Sequence, residues 1–253
     1  MKRIFALIFT ILFTLTITAC SATSANETTF EKAKREGAVT VGFANEKPYA
    51  YLTPDGQLTG EAVEVARAVL KRLGINQMHG VLTEFGSLYP GLQAKRFDMI
   101  TAGMYITPPR CKQAAFANPE YHIGEALAVK SGNPLNLHSY KDIKENPHAR
   151  IGVMGGAMEV DYLKKSGVSD KQIVIVPDQA SAVSALEANR VDAITMTGPS
   201  LQSQLEGAGP GIERVKDFTQ PVIDGKKRVI TGPLLFAKKT AISRKLSTGN
   251  CKN

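Results

Sequence analysis

Ala94-Lys-Arg-Phe-Asp-Met-Ile100 recurs as Ala188-Asn-Arg-Val-Asp-Ala-Ile194, one phrase written once in each half of a 253-residue chain. Upstream of each copy stands a β-rich run that ends in a loop, Val39-Thr-Val-Gly-Phe43 and Arg150-Ile-Gly-Val-Met154. Each half therefore reads strand, loop, helix, strand, helix, strand, and two α/β units of one plan are the economical inference. Asp98 and Asp192, inside the repeated phrase, read as structural turn residues.

The first copy runs into Met99-Ile-Thr-Ala-Gly-Met-Tyr-Ile-Thr-Pro-Pro-Arg110. A short apolar strand breaks at Gly103, and the chain then presents a ring, Tyr105, and a fixed cation, Arg110. Thr107 suits a helix N-cap with proline in the first turn. In open α/β sheets ligands sit beyond the carboxyl ends of strands, and an arginine fork matches a planar carboxylate as lysine cannot. The second copy ends in Thr195-Met196-Thr197-Gly198-Pro199, which carries no acid. Before it, Gly155-Gly156-Ala157 separates the strand Ile151–Met154 from the helix Met158–Ser166, a turn that lets backbone approach a ligand.

Further out, the spacing predicts helices over Phe30–Gly37, Glu61–Leu73 and Leu88–Lys95, the last with Ser87 as N-cap. A strand is expected near Gly80–Glu84, and Asp178–Ser181 caps a helix over Ala182–Asn189. Pro48 holds the loop Ala44–Tyr49 away from helix. The turn-rich Ser131-Gly-Asn-Pro134 marks one crossing between units and Asp224–Phe236 the return. Lobe 1 is thus expected over 30–130 and 226–253, lobe 2 over 131–225, with a ligand cleft between hinged lobes.

The ends are of another kind. Lys2 and Arg3 precede an apolar stretch from Ile4 to about Ile17 and then Thr18-Ala19-Cys20, a secretory signal of the lipoprotein type over 1–19. Cys20 is the expected lipidated first residue, and 20–29 a tether to the membrane. The formal charge of +8 loses Lys2 and Arg3 with that signal, and Arg244, Lys245 and Lys252 sit in an atypical tail. No basic stripe interleaved with aromatics suggests nucleic acid. Cys111 and Cys251 do not read as a disulfide framework, and no metal-ligand spacing is present. His79, His122, His138 and His148 are scattered, without a catalytic partner, and read as surface residues.

The stretches Gly42-Phe-Ala-Asn-Glu46, Leu82-Thr-Glu-Phe-Gly-Ser-Leu88 and Ala102-Gly-Met-Tyr-Ile-Thr107 carry a resemblance. His138-Ser-Tyr140 and Pro221-Val-Ile-Asp-Gly225 add to it. From about Val39 to Lys238 the chain resembles periplasmic solute-binding proteins of ABC importers, in the polar-amino-acid group, and within it the ectoine and hydroxyectoine binders. The resemblance implies a two-lobed α/β fold of the type II periplasmic-binding kind with a two-crossing hinge. It implies a monomeric lipoprotein outside the cytoplasm that passes a small zwitterion to ABC permease subunits, without catalysis or cofactor. Tyr49, Phe85 and Tyr105 would cage a delocalised cation, at about 0.5–2 kcal/mol per ring. Glu46 would accept from its N–H groups, Arg110 would fork its carboxylate, and Gly156, Ala157 and Thr197 would close the second lobe over it.

The absence of an acid at Thr195–Thr197 favours a spread-out cation over a compact ammonium, so a polar-amino-acid binder is the nearest rival. A dehydratase-like enzyme with Glu46 as acid/base is the more distant one, since no second titratable group is evident. Two departures stand out. Ala157 replaces the threonine usual after the glycine, which loses a hydroxyl. After Lys238 the relatives continue with an acidic amphipathic helix, whereas here Lys239–Asn253 is basic and short. Permitted codons read one nucleotide out of register restore such a helix, so a frameshift that truncates lobe 1 is expected.

Overall fold

The computed structural model describes residues 27–118, 121–223, 225–227, 230–232 and 235–237. The expected signal over 1–19, the lipidation site Cys20, most of the tether and the atypical tail lie outside the described residues.

The described chain opens with α1 (Thr29–Glu36), closed by a capping box in which Thr28 and Glu31 bond each other's backbone N–H. Then come β1 (Ala38–Phe43), the hairpin β2 (Tyr51–Leu52) and β3 (Leu58–Thr59), α2 (Glu61–Arg72) and β4 (Gln77–Leu82). A 3-10 turn at Phe85–Ser87 leads into α3 (Leu88–Gln93), β5 (Met99–Ile100), α4 (Pro108–Gln113), β6 (Ala114–Phe116) and β7 (Tyr121–Ile123). The second half holds β8 (Glu125–Lys130), α5 (Tyr140–Glu145), β9 (Ile151–Met154), α6 (Met158–Lys165), β10 (Ile173–Val176), α7 (Gln179–Glu187), β11 (Ala193–Thr197), α8 (Gly198–Leu205) and β12 (Ile212–Arg214). The chain returns through β13 (Val222–Ile223), β14 (Lys226–Lys227), β15 (Ile230–Gly232) and β16 (Leu235–Ala237).

Two five-stranded sheets result, ordered β4-β1-β5-β16-β6 and β10-β9-β11-β8-β12. In each, three parallel strands carry a fourth that runs antiparallel and arrives from a crossing. The two crossing segments, β7 and β15, pair antiparallel as the hinge.

The repeat holds to the residue. Gly42 of β1 faces Ile100 of β5, and Gly152 of β9 faces Ile194 of β11. The Asp98 carboxylate accepts from Thr40 N at 2.9 Å, and that of Asp192 from Arg150 N at 2.8 Å. Both aspartates are structural, tying the start of one strand to the turn before the next. At Gly42 a Cβ would lie 2.5 Å from the Phe97 ring, so the bulky aromatic of the first phrase needs glycine beneath it.

Several expected boundaries move. Lobe 2 begins before 131, because β8 is an inner strand of the second sheet, and the turn at 131–134 lies within that lobe. β4 starts at Gln77 rather than Gly80, because parallel pairing with β1 recruits polar residues onto an edge strand. Ser87 makes no cap bond, being itself helical in backbone. Cys111 is disulfide-bonded, against the expectation.

Each lobe buries its own core, with Val41, Ala66 and Leu70 on one face of the first sheet and Leu127, Ile143 and Ile151 in the second lobe. Two exchanges cross the gap. Tyr105 of the first lobe packs into the second-lobe cluster, while Met154 and Ala157 of the second pack with Phe85, Leu88 and Ile100 of the first.

Candidate functional site

The carboxyl ends of the parallel strands all face the gap between the lobes. Glu46 follows β1, Phe85 follows β4 and Gly103–Tyr105 follow β5. Opposite them, Ala157 follows β9, Gln179 follows β10 and Thr197 ends β11. They close on a narrow cavity of about 10 Å³, lined by Glu46, Phe85, Gly103, Tyr105 and Arg110 from one lobe. The other lobe contributes Met154, Ala157, Met158, Glu159, Gln179, Thr195, Met196 and Thr197. That is room for about one water, the lobes being closed on one another, so a small molecule enters only when they part. A wider groove beyond it, of about 720 Å³, is bordered by exposed Lys47, Glu84 and Glu187 and belongs to the surface.

Glu46 owes its position to a tight turn. Tyr49 N–H closes onto Glu46 O at 2.8 Å around the cis Lys47–Pro48 peptide. Its carboxyl accepts from Gly103 N at 3.1 Å and from Gln179 Nε2 at 3.2 Å, one contact from each lobe. Burial pushes its pKa up to about 8, helped by the neighbouring Glu159, while the Gly103 N–H and Arg110 pull it down. Glu46 is thus a reluctant anion that a ligand cation would complete.

Arg110 sits in the first turn of α4, where Thr107 accepts from its N–H at 3.4 Å as the cap geometry requires. Its guanidinium donates to Tyr105 O at 3.2 Å and, across the gap, to Gly156 O at 3.0 Å. These bonds use two of its five N–H donors and leave the remainder for an anion. Tyr89 lies beneath it at 6.0 Å.

Phe85 and Tyr105 line the cavity, both nearly fully buried. Tyr49 borders it. Its ring packs against Gly103 and stacks on Tyr121 at 5.4 Å, and its hydroxyl meets Thr197 Oγ1 at 2.9 Å across the gap. Gly156 is in the left-handed region, with φ +81, and a Cβ there would fall 2.6 Å from Gly86 Cα. It serves as an interlobe contact and as an acceptor for Arg110 rather than as a wall of the cavity. Ala157 caps α6 without a side-chain bond.

Sequence reasoning missed the acids of the second lobe. Glu159 lines the cavity at 5% exposure, and Glu125, at the start of β8, is 3% exposed and accepts from the Tyr105 hydroxyl at 3.3 Å. Burial raises both carboxyls, Glu125 well above the ordinary value. The expectations of one glutamate in the site and of no second titratable group are overturned. Gln179, bridging Glu46 and Gln204, and Thr195, held by Tyr140 at 2.6 Å, were missed too.

A family model described as bacterial extracellular solute-binding proteins, family 3, matches residues 39–232. The chain belongs to that family. This solute-binding protein is 39% identical over 223 residues to a probable amino-acid ABC transporter periplasmic-binding protein of Sinorhizobium fredii, covering 87% of this chain and 73% of that one. It superposes on EhuB, solved in complex with hydroxyectoine, with TM-score 0.80 and 33% identity, over 87% of this chain and 84% of that one. Holo ArgBP of T. maritima shares the fold, with TM-score 0.72 at 21% identity over 85% and 93% of the two chains. The protein is accordingly the extracytoplasmic solute-binding component of an ABC importer for amino-acid-like ligands.

Proposed function

We propose that this protein captures a small zwitterion of the ectoine and hydroxyectoine class between its lobes and delivers it to ABC permease subunits, without transforming it. The observation that carries the reading is the convergence of Phe85, Tyr105, Glu46 and Arg110, from four separate segments, on one closed cavity. Phe85 and Tyr105 offer ring faces to a delocalised cation, with Tyr49 packed behind Gly103. Glu46 accepts from its N–H groups, and the free donors of Arg110 take its carboxylate. Gly156, Ala157 and Thr197 close the lid through backbone and hydroxyl contacts. The 33% identity to a protein solved with hydroxyectoine supports the same class. Anchoring is assigned to a lipidated Cys20 with 20–29 as tether, and the working unit to a monomer.

Calorimetry with ectoine, hydroxyectoine, proline, glycine betaine and L-arginine tests this reading. Ectoine or hydroxyectoine should bind best, and a Phe85→Ala, Tyr105→Ala double variant should weaken binding about fivefold or more, as two rings at ~0.5–2 kcal/mol each require. Undiminished binding by that variant, or a preference for arginine, sinks the assignment.

A further inference from the structure

The second sheet has an unfinished corner at its hinge end. β11 pairs with β8 as far as Thr197 opposite Glu125. On the other side β12 leaves β8 after Arg214 opposite Ala128, with a last bond from Val215 N–H to Leu127 O at 2.8 Å. The backbone of Glu125, a buried residue, therefore has no strand on that side. Gln220 fills the place. Its side-chain amide accepts from the Glu125 N–H at 2.9 Å and donates to the Glu125 carbonyl at 2.7 Å. That is the two-bond exchange of an antiparallel pair, made by a side chain. Pro221, next in the chain, brings no N–H to a ladder. The segment that carries Gln220 is itself tied to the second lobe. Thr219 N–H donates to His138 O at 2.8 Å, His138 Nδ1 meets Asp217 Oδ1 at 2.7 Å, and the Phe218 ring lies edge-on to Tyr140 at 5.4 Å. Gly124 leaves room for the amide, since a Cβ there would lie 2.7 Å from Gln220 Oε1.

We propose that Gln220 is a positioning residue for ligand capture, a substitute strand that fixes where Glu125 meets Tyr105 as the lobes close. Tyr105 is the first-lobe ring that packs into the second-lobe core, and its hydroxyl donates to Glu125 Oε1 at 3.3 Å across the gap. The same Glu125 carboxyl shares a hydrogen bond with Glu159 on the cavity wall. Without the Gln220 amide, a buried N–H and a buried carbonyl lose their partners, and the end of β8 must move outward to recover them from water. The Glu125 carboxyl moves with its backbone, and the Tyr105 hydroxyl is left facing an apolar core. Gln220 does not line the cavity, so it acts through that register alone. The role requires only a ligand on which the lobes close, whichever compound that is.

Two measurements on the full chain test this, in variants checked for folding by circular dichroism. Gln220→Met keeps the length of the side chain and removes the amide. Should it not fold, Gly124→Ala, which sets a methyl against the amide oxygen, is read in its place. In amide hydrogen exchange followed by NMR, the Glu125 N–H of the ligand-free variant should exchange at least about tenfold faster than in wild type. Unchanged protection overturns the proposal. The second measurement is calorimetry with the tightest binder among ectoine, hydroxyectoine, proline, glycine betaine and L-arginine. The variant should weaken binding about fivefold, the scale of one buried hydrogen bond. In a chain that already carries Tyr105→Phe, which keeps the ring and removes the interlobe bond, the further loss should be less than about twofold. The same fold loss in both backgrounds marks a general loosening of the second lobe and overturns the proposal, as does undiminished binding by the variant alone. A preference for arginine sinks the ectoine reading but not this one, because the comparison is then read with arginine.

Discussion

The two lobes repeat one backbone design and then spend it differently. Up to the ends of β5 and β11 they match pair for pair, down to Asp98 on Thr40 and Asp192 on Arg150. Past those ends they diverge. The first lobe continues into Gly103, Tyr105 and Arg110, rigid groups that define shape and charge. The second stops at Thr195 and Thr197 and lines its wall with methionines, hydroxyls, Gln179 and Glu159. A duplicated scaffold fixes where a ligand can lie, and only the residues after each strand decide which ligand it is.

The largest test of this comparison is in the cores. Phe97 and Val191 hold the same place in the repeated phrase, one against Gly42 and Gly91, the other against Gly152. Phe97→Ala should cost about 3–5 kcal/mol and Val191→Ala about 2 kcal/mol in chemical denaturation. Equal losses would mean that the phrase is only superficially shared.

A middle-sized effect concerns Glu46, with pKa near 8 in the closed fold against about 4.3 unfolded. Its contribution to stability is complete below about pH 4.3 and is lost as pH rises toward 8, because the folded chain holds the extra proton across that window. The unfolding temperature without ligand should fall by roughly ten degrees from pH 5 to pH 8, at ~2–4 °C per kcal/mol. Glu46→Gln should remove its share of that slope and leave the share of Glu125 and Glu159. A flat profile in wild type would show that the lobes part in solution and relieve these acids of burial.

The smallest effect lies in the second lobe. Ala157→Thr supplies the hydroxyl that α6 lacks at its N-cap, where Val160 N–H has only a long 3.4 Å bond to the Ala157 carbonyl, and should add about 1 kcal/mol. No gain in melting temperature would indicate that contact with the first-lobe cluster forbids the capping rotamer.

Much of this could be read from the chain. The repeat announced both sheets, and Thr107 and Asp178 cap as their residue types require, Asp178 accepting from Ser181 N at 2.7 Å. Phe85, Tyr105, Glu46 and Arg110 stood next to breaks after apolar runs, where rings and charges are conspicuous. The second-lobe acids gave no such signal. Glu159 in a first helical turn reads as a surface residue that complements the helix dipole, and Glu125 opens a strand whose inner position depends on the return of the chain. Gln179 and Gln220 act through their amides on distant backbone or side chains, a relation that no local spacing records.

Gly86 and Gly156 touch main chain to main chain at the rim of the gap. A mechanical stop built from bare backbone has no side chain to mutate, so the depth of the bite stays constant whatever residues come to line the mouth. Descendants of such a protein can change their diet one substitution at a time without relearning how to shut.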